Sequence, residues 1–222
     1  IGILAAIIQR QATGVGQQVE VAQQEAVVNL LRIHLRESYA TGRPAPRQGN
    51  RSAAASPSNL YRCRPGGPND YVFIHLATAD MWKTLTRIVG RPELGDDPRY
   101  QDRRDRVQFI DEIDQMIEAW TEKRTKHEVM EILAPAGIPC GAVLDSTEVL
   151  ADPHLRQRRF IVDLDHPRRG PYPMPGNPVR LSESPTEVSR SPLLGEHNAE
   201  VYGKLLGYES AEIESLRRDG VI

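Results

Sequence analysis

The chain opens on an apolar run. Ile1, Ile3, Leu4, Ile7 and Ile8 surround Gly2 and two alanines with no polar position among them, which predicts a helix already under way and no capping residue before it. Thr13-Gly14-Val15-Gly16-Gln17 ends that helix, because glycine tolerates the positive φ that a helix terminus needs. Val19 and Val21 then alternate with Gln18 and Glu20, the pattern of a half-buried strand. Ala22, Ala26, Val27, Leu30, Leu31 and Leu35 return to helical spacing as far as about Glu37. Helix, strand, helix is the rhythm of an α/β layer.

From Thr41 to Ser58 the periodicity stops. Gly42, Pro44, Pro46, Gly49, Pro57 and a Ser/Ala tract mark a loop next to a domain boundary. Leu60–Arg64 and Tyr71–Ala77 read as two strands around the turn Pro65-Gly66-Gly67-Pro68-Asn69-Asp70, hence a hairpin. Helices are predicted over Asp80–Val89 and Arg106–Trp120. A further helix opens on the capping box Thr125-Lys126-His127-Glu128 and ends before Pro135. Gly141–Leu144 and Phe160–Leu164 read as strands and Ser146–Ala151 as a helical turn. Six prolines between Pro171 and Pro192 predict a strap without regular structure. Asn198–Leu206 and Ser210–Arg218 close the chain as short helices, the second with Ser210 as N-cap. The expected division is 1–47 in a large α/β domain, 48–137 as a small α+β domain, and 138–222 returning to the large domain.

Composition narrows the function classes. With 39% hydrophobic residues, 26% charged and a formal net charge of -2, the chain lacks the basic balance of a nucleic-acid partner. Arginines 47, 51, 62 and 64, and 156, 158, 159, 168 and 169, form two loose groups able to meet phosphate, although a solvated surface is the plainer reading. No apolar run reaches the roughly 20 residues of a membrane span. Cys63 and Cys140 stand apart from any metal-ligand spacing, so no metal site is expected and a reducing, cytoplasmic setting fits. Cys140 reads as a buried small hydrophobe, His34 as a satisfied core or interface histidine, Trp82 and Trp120 as core. Asp80, Asp97 and Asp152 read as turn or helix-start residues.

Several strings, taken in order, carry a resemblance: Gly2-Ile3-Leu4-Ala5-Ala6, Thr13 to Val21, Gly49-Asn50-Arg51, Asp97-Pro98-Arg99-Tyr100, Ala136 to Val143, Asp152-Pro153, His166-Pro167 and Leu194-Gly195-Glu196-His197. The whole chain resembles the class III CoA-transferases, the group containing formyl-CoA transferase and carnitine CoA-transferase. The resemblance implies a Rossmann-like large domain, a smaller α+β domain and an interlocked homodimer. It implies transfer of CoA between an acyl-CoA and a carboxylic acid through an aspartyl-CoA thioester, with CoA as substrate and no other cofactor. The family's nucleophilic aspartate precedes the helix that begins at Ile1, so no catalytic residue is assigned here. The chain is expected to be the C-terminal part of a longer enzyme, inactive alone.

One family element falls within the chain. After a Gly-Asn pair, formyl-CoA transferase carries a glycine-rich loop that closes over the active site, which assigns Gly49, Asn50, Arg51, Ser52, Ala53, Ala54, Ala55 and Ser56 as a substrate-side loop. Ser and Ala stand where the consecutive glycines would be, and their side chains restrict the positive-φ conformations such a movement uses. An α-methylacyl-CoA racemase-like isomerase, which needs two acid/base groups and no nucleophile, is the alternative enzyme class. A non-catalytic dimerisation fragment is the other.

Overall fold

The computed structural model describes residues 1–52 and 55–222. Helix and sheet are mixed, as an α/β reading requires. The chain divides into two compact units. One comprises Ile1–Tyr61, Phe73–Trp120 and Leu133–Cys140, the other Arg62–Val72, Thr121–Ile132 and Gly141–Ile222.

The first unit begins with α1 (Gly2–Thr13), stopped by Gly14 at φ 77°. The segment around Val19 and Val21 forms no strand, since alternation needs a neighbouring backbone to pair with and none among the described residues does so. The helix expected from Ala22 is two helices, α2 (Gln23–Leu30) and α3 (Arg32–Thr41), broken at Leu31 (φ -87°, ψ 11°). Strands β1 (Ser58–Arg62) and β2 (Tyr71–His75) follow as expected of a hairpin, and with β3 (Cys140–Ala142) they form a sheet in the order β1-β2-β3.

The unit's core is built on α4 (Ala79–Ile88). Its N-cap Thr78 accepts from the Met81 amide, and Trp82 and Leu85 point inward with no exposed surface. The Trp82 indole donates to the Leu94 carbonyl at 2.9 Å, and its ring lies 5.8 Å from that of Tyr100. Short α5 (Glu93–Asp96) sits so close to α4 that a Cβ on Gly95 would meet Thr86 Oγ1 at 2.7 Å, so glycine is required there. In α6 (Ile110–Thr121), Ile113 and Ile117 recur at helical spacing and are buried to 1% or less.

In the second unit, Thr125 caps α7 (Lys126–Leu133). The Glu128 amide donates to Thr125 Oγ1 at 3.2 Å and the Thr125 amide to Glu128 Oε2 at 2.7 Å, the expected reciprocal box. Lys126 is 5% exposed and spends its three protons on Glu148 Oε2 (2.7 Å), Val143 O (2.7 Å) and Asn69 O (3.3 Å). Glu148 also closes the capping box of α8 (Ser146–Ala151) on Asp145, and α9 (Pro153–Gln157) starts from Asp152. Its hydrogen bond to Lys126 holds the Glu148 carboxyl below the usual range.

The expected strap is partly a strand. β4 (Ile161–His166) pairs antiparallel with β5 (Gly170–Pro175), placing Pro171, Pro173 and Pro175 opposite Asp165, Asp163 and Ile161. Alternate residues of an antiparallel strand turn their backbone groups toward the partner, so prolines at every second position put their missing donors on the outer side. The stretch from Gly176 to Pro192 has no regular structure, as expected. A π-helix at Ala199–Leu205 precedes α10 (Ser210–Arg218), whose N-cap is Glu209 and not Ser210, because Glu209 exchanges bonds with Glu212.

Candidate functional site

The residues expected to form a substrate-side loop follow α3, and their geometry rests on a few short contacts. Gly42 at φ 66° ends α3, and the Ser38 hydroxyl accepts from the Ala45 amide at 3.2 Å, which turns the chain back along the helix. The Arg51 amide donates to Gln48 O at 3.2 Å, and Ser52 and Ala55 face each other in an isolated antiparallel bridge. Ala55 is 4% exposed and Ser56 fully buried. The Ser56 amide donates to Arg103 O (3.2 Å), and its carbonyl accepts from Arg106 Nε (2.6 Å). Ala53 and Ala54 lie outside the described residues.

Arg106 anchors this end of the loop. It is fully buried, donates from Nη1 to Tyr100 O at 2.5 Å and lies 5.0 Å from the Trp82 ring centre; desolvation brings its pKa down to about 10.

At the other end, Arg51 meets two carboxylates of α6. Nε donates to Asp114 Oδ2 and Nη2 reaches Asp111 Oδ1, both at 2.8 Å. Partial burial opposes the charged form, but these bonds outweigh it and raise the Arg51 pKa. Asp114 also accepts from Asn59 (3.0 Å) and from the Tyr61 hydroxyl (2.7 Å), whose pKa burial and this carboxylate push upward. Asp111 and Asp114 were not singled out in the sequence. Their i, i+3 spacing puts them on one helix face, but nothing local shows that Arg51 is their partner.

Between α3 and the loop lies a cleft of about 690 Å³, lined among others by His34, Arg36, Glu37, Gly49, Arg51 and Ser52. Three of the expected loop residues therefore share one wall, while Ala55 and Ser56 pack beneath the surface. His34 is exposed in the cleft and so is not a core residue, one of the two roles expected of it, since none of the residues of α3 is buried. With Arg51 paired to two aspartates, His34 and Arg36 are the other cationic or imidazole side chains among the residues that line the cleft.

The remaining candidates are structural. Cys63 is buried and desolvation pushes its thiol up to about 11. Cys140 is only half-buried, and desolvation raises its pKa as well, so neither thiol is an activated nucleophile. Asp97 and Asp152 cap helical turns by accepting from the amides of Arg99 and Leu155, and Asp80 lies in the first turn of α4. The arginine groups are dispersed: Arg64 pairs with Glu128, Arg156 with Asp163, and Arg62 lies over the Tyr71 ring. Glu196, in the Leu194–His197 string, is held at a pKa of about 2 by Arg190 and the Leu193 amide. Among the described residues no group of three or more His, Cys, Asp or Glu could hold a metal ion, and no helix is long and apolar enough to cross a membrane.

The sequence model of CoA-transferase family III matches residues 1–198. The chain belongs to CoA-transferase family III. Among its family III relatives, a formyl-CoA:oxalate CoA-transferase of Streptomyces avermitilis is 42% identical over 234 residues, covering all of this chain and 57% of the relative. A Bradyrhizobium diazoefficiens protein of the same name is 36% identical, covering 100% of the chain and 56% of the relative. The family III chain thus spans a little over half the length of these relatives. Among solved structures, a CAIB/BAIF family protein from Brucella suis superposes with TM-score 0.69 at 26% identity, over 91% of this chain and 52% of that one. A Mycobacterium tuberculosis structure at 21% identity and TM-score 0.67, over 90% of this chain and 51% of that one, shares the fold. These comparisons do not favour the racemase alternative.

Proposed function

We propose that the protein carrying this chain moves CoA from an acyl-CoA to a carboxylic acid, with an aspartate preceding Ile1 as nucleophile. The support is the family III match across residues 1–198 together with a relative 42% identical over the whole chain. The aspartate oxygen attacks the thioester carbonyl, forming a mixed anhydride and releasing the CoA thiolate. The thiolate then attacks the aspartyl carbonyl, giving aspartyl-CoA and the free acid, and the acceptor carboxylate repeats the sequence in reverse. A carboxylate suits this exchange because it serves as nucleophile and as leaving group.

Within that reading, Gly49, Asn50, Arg51, Ser52, Ala53, Ala54, Ala55 and Ser56 form the substrate-side loop, and the cleft beside α3 receives the acid. The chain by itself is inactive, since it contributes a wall and no nucleophile. Residues 1–47 and 138–222 belong to a Rossmann-like large domain and 48–137 to the small one. The enzyme works as an interlocked homodimer in the cytoplasm, and the exposed apolar residues of α1 to α3 are the face that the rest of the assembly covers. Formyl-CoA and oxalate, which the relatives' names carry, are the first donor and acceptor to assay.

The deciding experiment incubates the longer protein with an acyl-CoA and looks by mass spectrometry for a hydroxylamine-sensitive adduct on an aspartate, with this chain as control. An adduct on the longer protein alone is expected. Bound acyl-CoA that exchanges its α-hydrogen without any adduct would overturn the transferase reading.

A further inference from the structure

The Asp114 carboxylate is held from two sides before the loop reaches it. Oδ1 accepts from the buried Tyr61 hydroxyl and Oδ2 from Asn59, both on β1, and its side chain is only 10% exposed. Arg51 completes the set with its 2.8 Å bond from Nε, and it alone comes from the loop. A fixed, desolvated carboxylate meeting a guanidinium is a stronger tie than an exposed pair. The outer contact to Asp111, whose side chain is 77% exposed, adds little. Beyond Arg51 the Ser52–Ala55 bridge and the buried Ser56 fasten the other end.

We propose that Asp114 is a positioning residue for the substrate-side loop, acting through Arg51 to keep Gly49, Arg51 and Ser52 as a fixed wall of the cleft. The inference rests on the reading of Gly49–Ser56 as the substrate-side loop. It also accounts for the departure from a glycine-rich loop. A loop free to move must be ordered when the acid binds, and the apparent affinity falls with the fraction of molecules already in the competent arrangement. A latch at Arg51 sets that arrangement beforehand, so Ser52 and Ala55, paired in their bridge, do not need the freedom that glycine gives a moving loop.

The test combines two readouts. Amide hydrogen exchange of Gly49 to Ser52 is measured on this chain, and steady-state kinetics on the longer protein that carries it. Arg51→Gln is expected to speed exchange tenfold or more and raise KM for the acceptor acid about tenfold, with kcat changed less than threefold. Arg51→Lys restores most of both. Asp114→Asn behaves like Arg51→Gln, while Asp111→Ala moves exchange less than threefold. Unchanged exchange in Arg51→Gln overturns the latch. Faster exchange with an unchanged KM overturns the positioning role. Faster exchange in a protein that transfers no CoA leaves the latch standing and overturns the functional reading instead.

Discussion

Helices α1 to α3 and helices α4 and α6 lie in one unit, yet they treat apolar residues oppositely. No residue of α1, α2 or α3 is buried, and Leu30 and Ile33 are 82% and 78% exposed. In α4 and α6, by contrast, Trp82, Leu85, Ile113 and Ile117 are at 1% or below. Composition does not explain the difference, since α1 is the more apolar helix. What separates them is a facing element. Trp82 has Leu94 and Tyr100 to meet, with Arg106 over its ring, whereas the isoleucines of α1 face solvent. Apolar content secures a helix; burial also needs a partner at the right distance.

The contrast is sharpest in stability. Trp82→Ala is expected to cost about 3–5 kcal/mol by denaturant unfolding of this chain, whereas Leu4→Ala stays within about 0.5 kcal/mol. A loss of several kcal/mol from Leu4→Ala would show that α1 is covered in solution and erase the distinction. Polar burial follows the same rule: Lys126→Met takes the ammonium donor from the Val143 carbonyl and from Glu148, which keeps its bond from the Asp145 amide, and should cost about 2 kcal/mol in the same measurement. Thr125→Ala removes one arm of a capping box and should cost about 1 kcal/mol, with faster amide exchange confined to the first turn of α7.

The smallest effect is read as a titration. Glu196, paired with Arg190, has its pKa lowered to about 2. A carboxylate depressed in the folded state contributes stability above its unfolded pKa, near 4.3, and loses it as pH falls toward 2. Its NMR titration midpoint should therefore rise into the ordinary range in Arg190→Gln. An unmoved midpoint would mean that the Leu193 amide alone holds the charge.

Much of the architecture was legible locally. Thr125 and Glu128 announce their capping box within four residues, and Ile113 and Ile117 mark the buried face of α6 by spacing alone. The errors arise where pairing over distance decides. Val19 and Val21 have a strand's alternation but no paired neighbour. Pro171, Pro173 and Pro175 look like obstacles to a strand until β4 supplies a partner on the side where they lack nothing. At the site, composition marks only a loop, the Gly-Asn pair that opens it comes from the family resemblance, and three of its residues do line a cleft. The latch was not legible, because Arg51 and Asp114 are 63 residues apart and neither signals the other.

The alternating prolines of β5 also govern what can pair with its outer edge. A strand joining an exposed sheet edge is recruited by free backbone donors and acceptors in register. Along this edge, three successive outward positions offer no N–H at all. The β5 edge of the two-stranded sheet is thus blunted against templated growth by the residues that argue against a strand when the sequence is read locally.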